Sequence, residues 1–373
     1  MAKTQARSSA PVPGRPRSAS PRVKTAAVRR DIIVIGASTG GLEAFRRVLQ
    51  ALPADLPAAI FIVLHTHTTA SARLPEILNG GGPFKSAFAI HGEPIEHGRV
   101  YVAPPDNHLI VDHDYVHVVR GPRENGHRPA VDPLFRSAAR AYGARVIGVL
   151  LTGALDCGTA GLMVIKAQGG TVIVQDPDEA LHPDMPRNAL NHVDVDHVVG
   201  VGRIAPLLAR VVRTPVQPPS ASQNGVLGEI EVATAQPADV VCPSCGGVMT
   251  ESRVNGLDRF RCHTGHTFTL DALAAEQARA LEGALWAAVR ALEESEALAR
   301  RMASHAALDL GERFEEKAET MKRHARRIQE MLLHGKGLMV PDAAAGQAAK
   351  SKRARRANGS GKQQGTRTRR VRS

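Results

Sequence analysis

The sequence of 373 residues lacks any apolar run long enough to cross a membrane. Its most apolar segment, Leu56 to Leu64, has the length of a strand, whereas a membrane-spanning helix needs about 20 apolar residues. The basic N-terminus is not followed by the apolar segment of a secretory signal. We therefore expect a cytoplasmic protein with no membrane insertion.

Cysteine and aromatic residues are scarce. The chain has four cysteines, which are too few and too clustered for a disulfide framework: Cys157, Cys242, Cys245 and Cys262. Aromatic residues make up 3% of the chain, and none lies in residues 1–30 or 336–373. Because stacking on aromatic rings is absent there, nucleic acid is not the expected partner of these terminal segments.

The positive charge is concentrated at the two ends of the chain. Residues 1–30 carry eight Lys and Arg and residues 341–373 a net nine positive charges, so residues 31–340 are net −5 although the whole chain is +12. Segments rich in Ala, Ser, Pro, Gly and Arg cannot form a core. We predict disordered basic tails at residues 1–30 and 336–373.

Between residues 31 and 211, short apolar runs alternate with helical stretches. This pattern predicts an α/β fold with a doubly wound, mostly parallel sheet covered by helices on both faces. The predicted strands are Ile32–Ile35, Ala59–Leu64, Val100–Ala103, Arg145–Leu151, Thr171–Val174 and His197–Val199. Two further runs, His108–Val111 and Tyr115–Val119, are predicted as an antiparallel hairpin at the sheet edge, and residues 212–239 as a linker.

The first predicted strand runs into Gly36-Ala-Ser38-Thr39-Gly40. Gly-x-Ser-x-Gly at a strand-to-helix turn exposes the serine hydroxyl above the sheet, and the helix N-terminus behind it can stabilise an oxyanion. Ser38 is therefore a candidate nucleophile. The alternative is a glycine-rich turn that binds phosphate, although the motif does not match Gly-x-Gly-x-x-Gly and no acidic residue ends the next strand.

A base for this serine is predicted at the end of the second strand. His65 lies at the carboxyl edge of the sheet, where open parallel sheets have their active sites, with His67 and His108 as lower-ranked alternatives. Asp156 follows another strand that reaches the same edge, and a carboxylate there could fix the tautomer of the imidazole. The order Ser, His, Asp differs from that of the α/β-hydrolases.

These residues resemble the catalytic domain of the chemotaxis protein-glutamate methylesterases of the CheB type. The resemblance covers about residues 31–211, and its motifs are Ile35-Gly-Ala-Ser-Thr-Gly-Gly41, the strand end at His65, Tyr101-Val-Ala-Pro-Pro-Asp-Asn-His108, Arg128-Pro-Ala-Val-Asp132, Leu151-Thr-Gly153 and Asp184-Met-Pro186. It implies a cofactor-free enzyme that hydrolyses glutamyl methyl esters on methyl-accepting chemoreceptors, with glutamine deamidation in some members. The receiver domain that usually precedes the family's catalytic domain is not expected.

The resemblance also implies roles for individual residues. Ser38 would be the nucleophile, His65 the base, and Thr39 and Gly40 would contact the oxyanion or substrate. The family's catalytic Asp immediately precedes a glycine, and in this chain that position is Cys157.

Three alternatives follow from Cys157. The triad could be broken, leaving a catalytically impaired binding or scaffold module. Asp156 could supply the carboxylate instead, or an electropositive surrounding could convert Cys157 to a thiolate.

A small Cys/His module follows the linker. Its pattern is Cys242-x2-Cys245-x16-Cys262-x3-His266, and four N and S donors on two turns suit a closed structural zinc site. His263 is an alternative fourth ligand. We predict a zinc-ribbon-like module at residues 240–269.

Two long helical patterns at residues 270–335 predict an antiparallel helical hairpin or coiled coil. The second helix is expected after Gly311, and Trp286 is expected to be the largest buried group. Because such an apolar stripe is usually core or a dimer seam, a homodimer through these helices is a further expectation.

Overall fold

The computed structural model describes residues 29–65, 73–216, 235–254 and 256–334. The whole predicted C-terminal tail, most of the predicted N-terminal tail and linker, and His67 lie outside these ranges. Among the described residues, no helix has the length and apolar character needed to cross a membrane.

The centre of the molecule is a parallel sheet of seven strands. Within residues 29–65 and 73–216 the strands are β1 (Ile32–Ala37), β2 (Ala59–Leu64), β3 (Lys85–Phe88), β4 (Arg99–Val102), β5 (His108–Val111), β6 (Val116–Val119), β7 (Val146–Leu150), β8 (Thr171–Gln175) and β9 (His197–Val199). The order in the large sheet is β3-β4-β2-β1-β7-β8-β9. Every residue of β1, β2, β7 and β8 is buried, which explains why these strands are apolar apart from Thr171 and Gln175 at the two ends of β8.

Helices cover both faces of the sheet, as the alternation of strands and helices predicts. One face packs against α1 (Gly41–Gln50), α2 (Leu74–Leu78) and α6 (Val201–Val212), and the other against α3 (Val131–Tyr142), α4 (Thr159–Ala167) and α5 (Asp184–His192). Side chains of β1 alternate between the two cores: Ile33 and Ile35 enter one and Ile32 and Val34 the other. The doubly wound α/β fold is therefore confirmed.

The predicted hairpin is present but not at the edge of the large sheet. β5 and β6 pair antiparallel as a separate two-stranded sheet, and the edge position beside β4 belongs to β3. The β5–β6 hairpin packs on α3, where Val111 N donates to Ser137 Oγ at 3.0 Å. The strand β3 escapes sequence analysis because its four residues include exposed Lys85 and no continuous apolar run.

Residues 235–269 form a second, smaller sheet. Its antiparallel strands lie in chain order: β10 (Gln236–Val241), β11 (Val248–Val254), β12 (Leu257–Cys262) and β13 (Thr267–Thr269). Met249, Phe260 and Phe268 form its own small core together with the first residues of the following helix. The first strand begins within the range predicted as linker.

The chain continues as a helical hairpin, α7 (Leu270–Ala303) and α8 (Leu308–His334). The buried side chains in the middle of the hairpin are Val289 and the alanines Ala299, Ala318 and Ala325. The expectation that Trp286 is buried is wrong, because its side chain is 42% exposed while the close approach of the helices is made at alanine. The second helix also begins before Gly311, not after it.

Candidate active site

Ser38 lies where the strand order of the sheet reverses. The chain passes from β1 to β2 on one side, whereas β7 lies on the other side of β1. Ser38 follows β1, and its backbone N–H donates to Thr152 O, beyond the end of β7, at 3.0 Å. Gly40 caps α1 with a φ of 79°, a left-handed conformation that favours glycine. Ligands of open α/β sheets bind in the crevice at this reversal.

The Thr152-Gly153 segment packs directly against Ser38. A Cβ atom built on Gly153 would lie 2.7 Å from the Cβ of Ser38 and would collide with Met185. Thr152 Oγ1 lies 3.1 Å from the carbonyl oxygen of Thr39 and accepts a hydrogen bond from His182 N at 2.8 Å. These contacts bring the loops after β1, β7 and β8 together around the serine.

His65 follows β2 at the same edge. The paired residues Ala37 and Leu64 are the last of β1 and β2, so Ser38 and His65 occupy the next position on neighbouring strands. Both ring nitrogens of His65 are buried and have no hydrogen-bond partner among the described residues. Burial, then the nearby rings of His127 and His108, lower the pKa of His65 well below its usual value. The imidazole is therefore neutral at neutral pH, as a general base must be.

His108, the alternative base, is held by the backbone on both sides of its ring. Nε2 lies 2.8 Å from Pro122 O, and Nδ1 lies 3.3 Å from Ala130 N, which donates to it. The ring therefore donates from Nε2 and accepts at Nδ1. With both nitrogens engaged in this way, His108 positions the chain and is not placed to take a proton from Ser38.

Cys157 lies in the loop between β7 and α4, and its side chain is buried against the first residues of α3. Burial raises the pKa of its thiol well above the usual value and the Asp132 carboxylate raises it further, although N–H groups of Val131 and Asp132 and the Asn125 side chain act in the opposite direction. The thiol is therefore protonated at neutral pH. This surrounding is the opposite of the electropositive one that a thiolate requires.

Asp156 is also buried, and its carboxyl group contacts residues 235–269, the second sheet with its four Cys and His ligands, which we call the C-terminal module. Thr269 Oγ1 donates to Asp156 Oδ1 at 2.7 Å. Burial raises the pKa of Asp156 to about 7, and the neighbouring carboxylates of Asp271 and Asp132 contribute. Within the described residues the structure therefore brings neither Asp156 nor any other carboxylate into hydrogen-bonding contact with His65.

A turn that sequence analysis did not single out completes the surroundings of His65. Residues 124–127, which we call the docking turn, are closed by two backbone hydrogen bonds between Glu124 and His127 at 2.9 and 3.2 Å. Asn125 and Gly126 have φ angles of 51° and 76°, and Asn-Gly is the preferred sequence for such a turn. The ring of His127 stacks on His65 with centroids 3.8 Å apart. The Asn-Gly dipeptide was the available signal.

The C-terminal module brings four potential metal ligands together. Single ligand atoms of Cys242, Cys245, Cys262 and His266 all lie within 4.8 Å of one another. The cluster contains His266 and not His263, the alternative fourth ligand. Cys242, Cys262 and Phe268 are buried in the small core of the module, so two ligands are part of its packing.

Comparison with known proteins matches the parallel-sheet domain to one family. A family model described as CheB methylesterase matches residues 33–208. A putative protein-glutamate methylesterase/protein-glutamine glutaminase of Leptospira interrogans is 39% identical over 182 residues, which are 48% of this chain and 94% of that protein. Protein-glutamate methylesterase/protein-glutamine glutaminase 2 of Methanosarcina mazei is 36% identical over 192 residues, which are 49% of this chain and 52% of that protein. The chain therefore spans about half the length of this relative.

A solved structure is also similar. The catalytic domain of Thermotoga maritima CheB methylesterase is 32% identical, with a TM-score of 0.48, and covers 50% of this chain and 100% of that one. The match to the family model ends at residue 208, before the strands of the C-terminal sheet begin. On the match to nearly the whole L. interrogans relative, the chain belongs to the CheB methylesterase family.

Proposed function

We propose that the parallel-sheet domain is a serine esterase that hydrolyses methyl esters of glutamate side chains in proteins. The observation that carries this proposal is the placement of Ser38 and neutral His65 on neighbouring strand ends where the strand order reverses. Two relatives named protein-glutamate methylesterase/protein-glutamine glutaminase support the reaction class.

The mechanism uses groups that the described residues supply. Ser38 Oγ attacks the ester carbonyl while His65 takes the hydroxyl proton, and the oxyanion forms at the N-terminus of α1 beside Thr39 and Gly40. The C–O bond to the methoxy group then breaks, and the proton from His65 leaves with it as methanol. Water, deprotonated by His65, attacks the acyl-enzyme and releases the glutamate side chain and Ser38.

The names of the relatives supply the substrate groups, glutamate methyl esters and glutamines in proteins, and the resemblance to chemotaxis enzymes supplies the kind of protein that carries them. We propose methylated glutamates of methyl-accepting chemoreceptors or similar signalling proteins as substrates, with deamidation of glutamine as a second reaction of the same acyl-enzyme. Both reactions place the same glutamyl acyl group on Ser38 and differ in the leaving group, methanol or ammonia.

A second candidate function is a binding module with impaired catalysis. It is favoured by the absence, among the described residues, of a carboxylate hydrogen-bonded to His65. A serine–histidine pair without its carboxylate retains a nucleophile and a base but has no anion to stabilise the imidazolium.

A fluorophosphonate probe and a methanol-release assay distinguish these candidates. If the protein is an esterase, the probe labels the wild type but not Ser38→Ala, and methanol release from methylated receptor membranes is lost in the same variant. Ser304→Ala, a matched change in the loop between α7 and α8, keeps both signals. If the probe labels neither the wild type nor Ser304→Ala although both are correctly folded, the binding module is favoured.

A further inference from the structure

The four ligands in the C-terminal module have the spacing of a tetrahedral zinc site. Sγ of Cys245 and Sγ of Cys262 are 3.7 Å apart, and Nδ1 of His266 lies 3.7 and 3.6 Å from Sγ of Cys242 and Cys262. Zinc bonds of about 2.3 Å to sulfur and 2.0 Å to nitrogen at tetrahedral angles give S–S edges of about 3.8 Å and S–N edges of about 3.5 Å. These three distances lie within about 0.2 Å of the tetrahedral values, and all four ligand atoms lie within 4.8 Å of one another.

We propose that this cluster binds one zinc ion, and that the zinc-bound module positions His65 through the docking turn. The first step needs only the ligand geometry. The second step rests on the proposed esterase function for its kinetic readout, and it follows from the contacts between the module and the docking turn.

The ligand His266 is followed at once by the strand that contacts the docking turn. Thr267 N donates to Arg123 O at 3.3 Å, and its carbonyl oxygen accepts from Asn125 N at 2.8 Å. Cys262 N donates to His266 O at 3.0 Å, so the two ligands of the second turn are also joined through the backbone. An ion that fixes His266 therefore fixes the start of β13.

Asn125 lies at the centre of this contact. Its Oδ1 accepts from Thr269 N at 3.0 Å, and its Nδ2 donates to Asp132 Oδ2 at 3.2 Å. The other oxygen of Asp132 accepts from Gly161 N at 2.6 Å, at the start of α4. One buried amide thus ties β13 to two helices of the catalytic domain.

The helix that follows the module contacts the docking turn from a second side. A Cβ atom at Gly126 would collide with the carboxylate of Glu276 in α7, so this side chain lies directly over the turn. Leu257 of β12 is buried in the core of the catalytic domain with residues of α3. Apolar burial and backbone bonding therefore both join the module to the domain.

The docking turn in turn determines the surroundings of His65. His127, two residues after Asn125, stacks on His65 with an angle of 16° between the ring planes. Because neither His65 nitrogen has a hydrogen-bond partner among the described residues, this stacking is the ring contact that orients it. Loss of zinc would free β13, then the docking turn, and would let water reach the imidazole.

Asn125→Gly tests the contact without removing the metal ligands. Glycine keeps the left-handed turn but removes both amide hydrogen bonds, so the variant should retain its zinc. We expect kcat for methyl-ester hydrolysis to fall at least about tenfold, with a smaller change in KM, because orientation of the base is lost. Thr250→Val, which removes an exposed hydroxyl bonded to Arg261 O within the module, is the matched control and should change neither quantity.

The pKa of His65, measured by NMR of the labelled imidazole, separates positioning from general loss of structure. It should rise toward about 6.5 in Asn125→Gly and in protein stripped of zinc by a chelator, because solvation of the ring is restored. Added zinc should reverse the change in the stripped protein. This readout does not require activity, so it stands even if the wild type proves to have no esterase activity.

Metal analysis tests the first step: protein purified without chelator should contain about one zinc per chain. A protein without zinc overturns the metal site. Zinc removal that leaves both kcat and the His65 pKa unchanged, or an Asn125→Gly protein with unchanged values, overturns the positioning role.

Discussion

The imidazole rings of His65 and His127 lie 3.8 Å apart, centroid to centroid, and within 16° of parallel. Two rings this close cannot both carry a positive charge without strong repulsion, and burial of His65 disfavours its charged form further. The pair therefore keeps the base candidate neutral over a wider pH range than an exposed histidine.

This relationship predicts the acid limb of the pH profile. Since the pKa of His65 is lowered by burial and by His127 and His108, kcat/KM should stay constant as the pH falls through 6.5 and decline only at lower pH. The profile is measured with a soluble methyl ester between pH 4.5 and 8. A half-maximal rate at or above pH 6.5 would contradict the buried, neutral base.

Cys157→Asp should increase activity. The thiol is neutral and cannot stabilise an imidazolium, whereas the resemblance implies that a carboxylate at this position would do so. Loss of the carboxylate costs a serine protease about 10⁴-fold in turnover, so we expect a gain of at least about tenfold in kcat. Methanol release from methylated receptor membranes measures it, and an unchanged rate would remove residue 157 from the reaction.

Asp156→Asn and Cys157→Ser test the other two alternatives for this loop. Asp156 accepts a hydrogen bond from Thr269 and Cys157 is protonated, so neither change should lower kcat as strongly as Ser38→Ala does. A loss as large as that of Ser38→Ala in Asp156→Asn would instead assign the triad carboxylate to Asp156. The same loss in Cys157→Ser would assign the role to a thiolate.

The Asp156 carboxyl should make stability depend on pH. Its pKa is about 7 in the folded protein, against 3.8 as the ordinary value, because of burial and the neighbouring Asp271 and Asp132. The unfolded chain therefore loses this proton first, and the free energy of unfolding should fall by at most about 1.4 kcal/mol per pH unit between about pH 4 and 7.

Urea unfolding at several pH values measures this effect. Asp156→Asn removes the titrating group, so the difference between wild type and variant isolates its contribution from that of other groups. The variant should show a shallower decline of stability between pH 4 and 7. Parallel pH curves for the two proteins would mean that Asp156 is ionised in the folded state.

The strands at the centre of the sheet could be predicted because burial on both faces imposes unbroken apolar runs on β1, β2, β7 and β8. The edge strand β3 and the first C-terminal strand, β10, could not, since neither contains a run of buried apolar residues. Trp286 illustrates a different difficulty. An apolar stripe on a helix shows which residues can be buried, but the side on which α8 packs decides which of them are.

The candidate site divides in the same way. Ser38 and His65 could be predicted because each follows a recognisable strand that ends at one sheet edge. The hydrogen bond between Asp156 and Thr269 joins residues 113 positions apart, and that between Asn125 and Thr269 joins residues 144 apart. Contacts of this kind depend on how the two sheets pack against each other, for which a local sequence pattern carries no signal.

The order of synthesis gives the Asp156–Thr269 hydrogen bond a further consequence. The large sheet ends at Val199 and α6 at Val212, so the catalytic core can fold while the module is still being translated. At 5–20 residues per second, the roughly 57 residues from Val212 to Thr269 take roughly 3–11 s to make. For several seconds a nascent chain therefore contains Ser38 and His65 but not yet Thr269, the residue that bonds both Asp156 and the docking turn at Asn125.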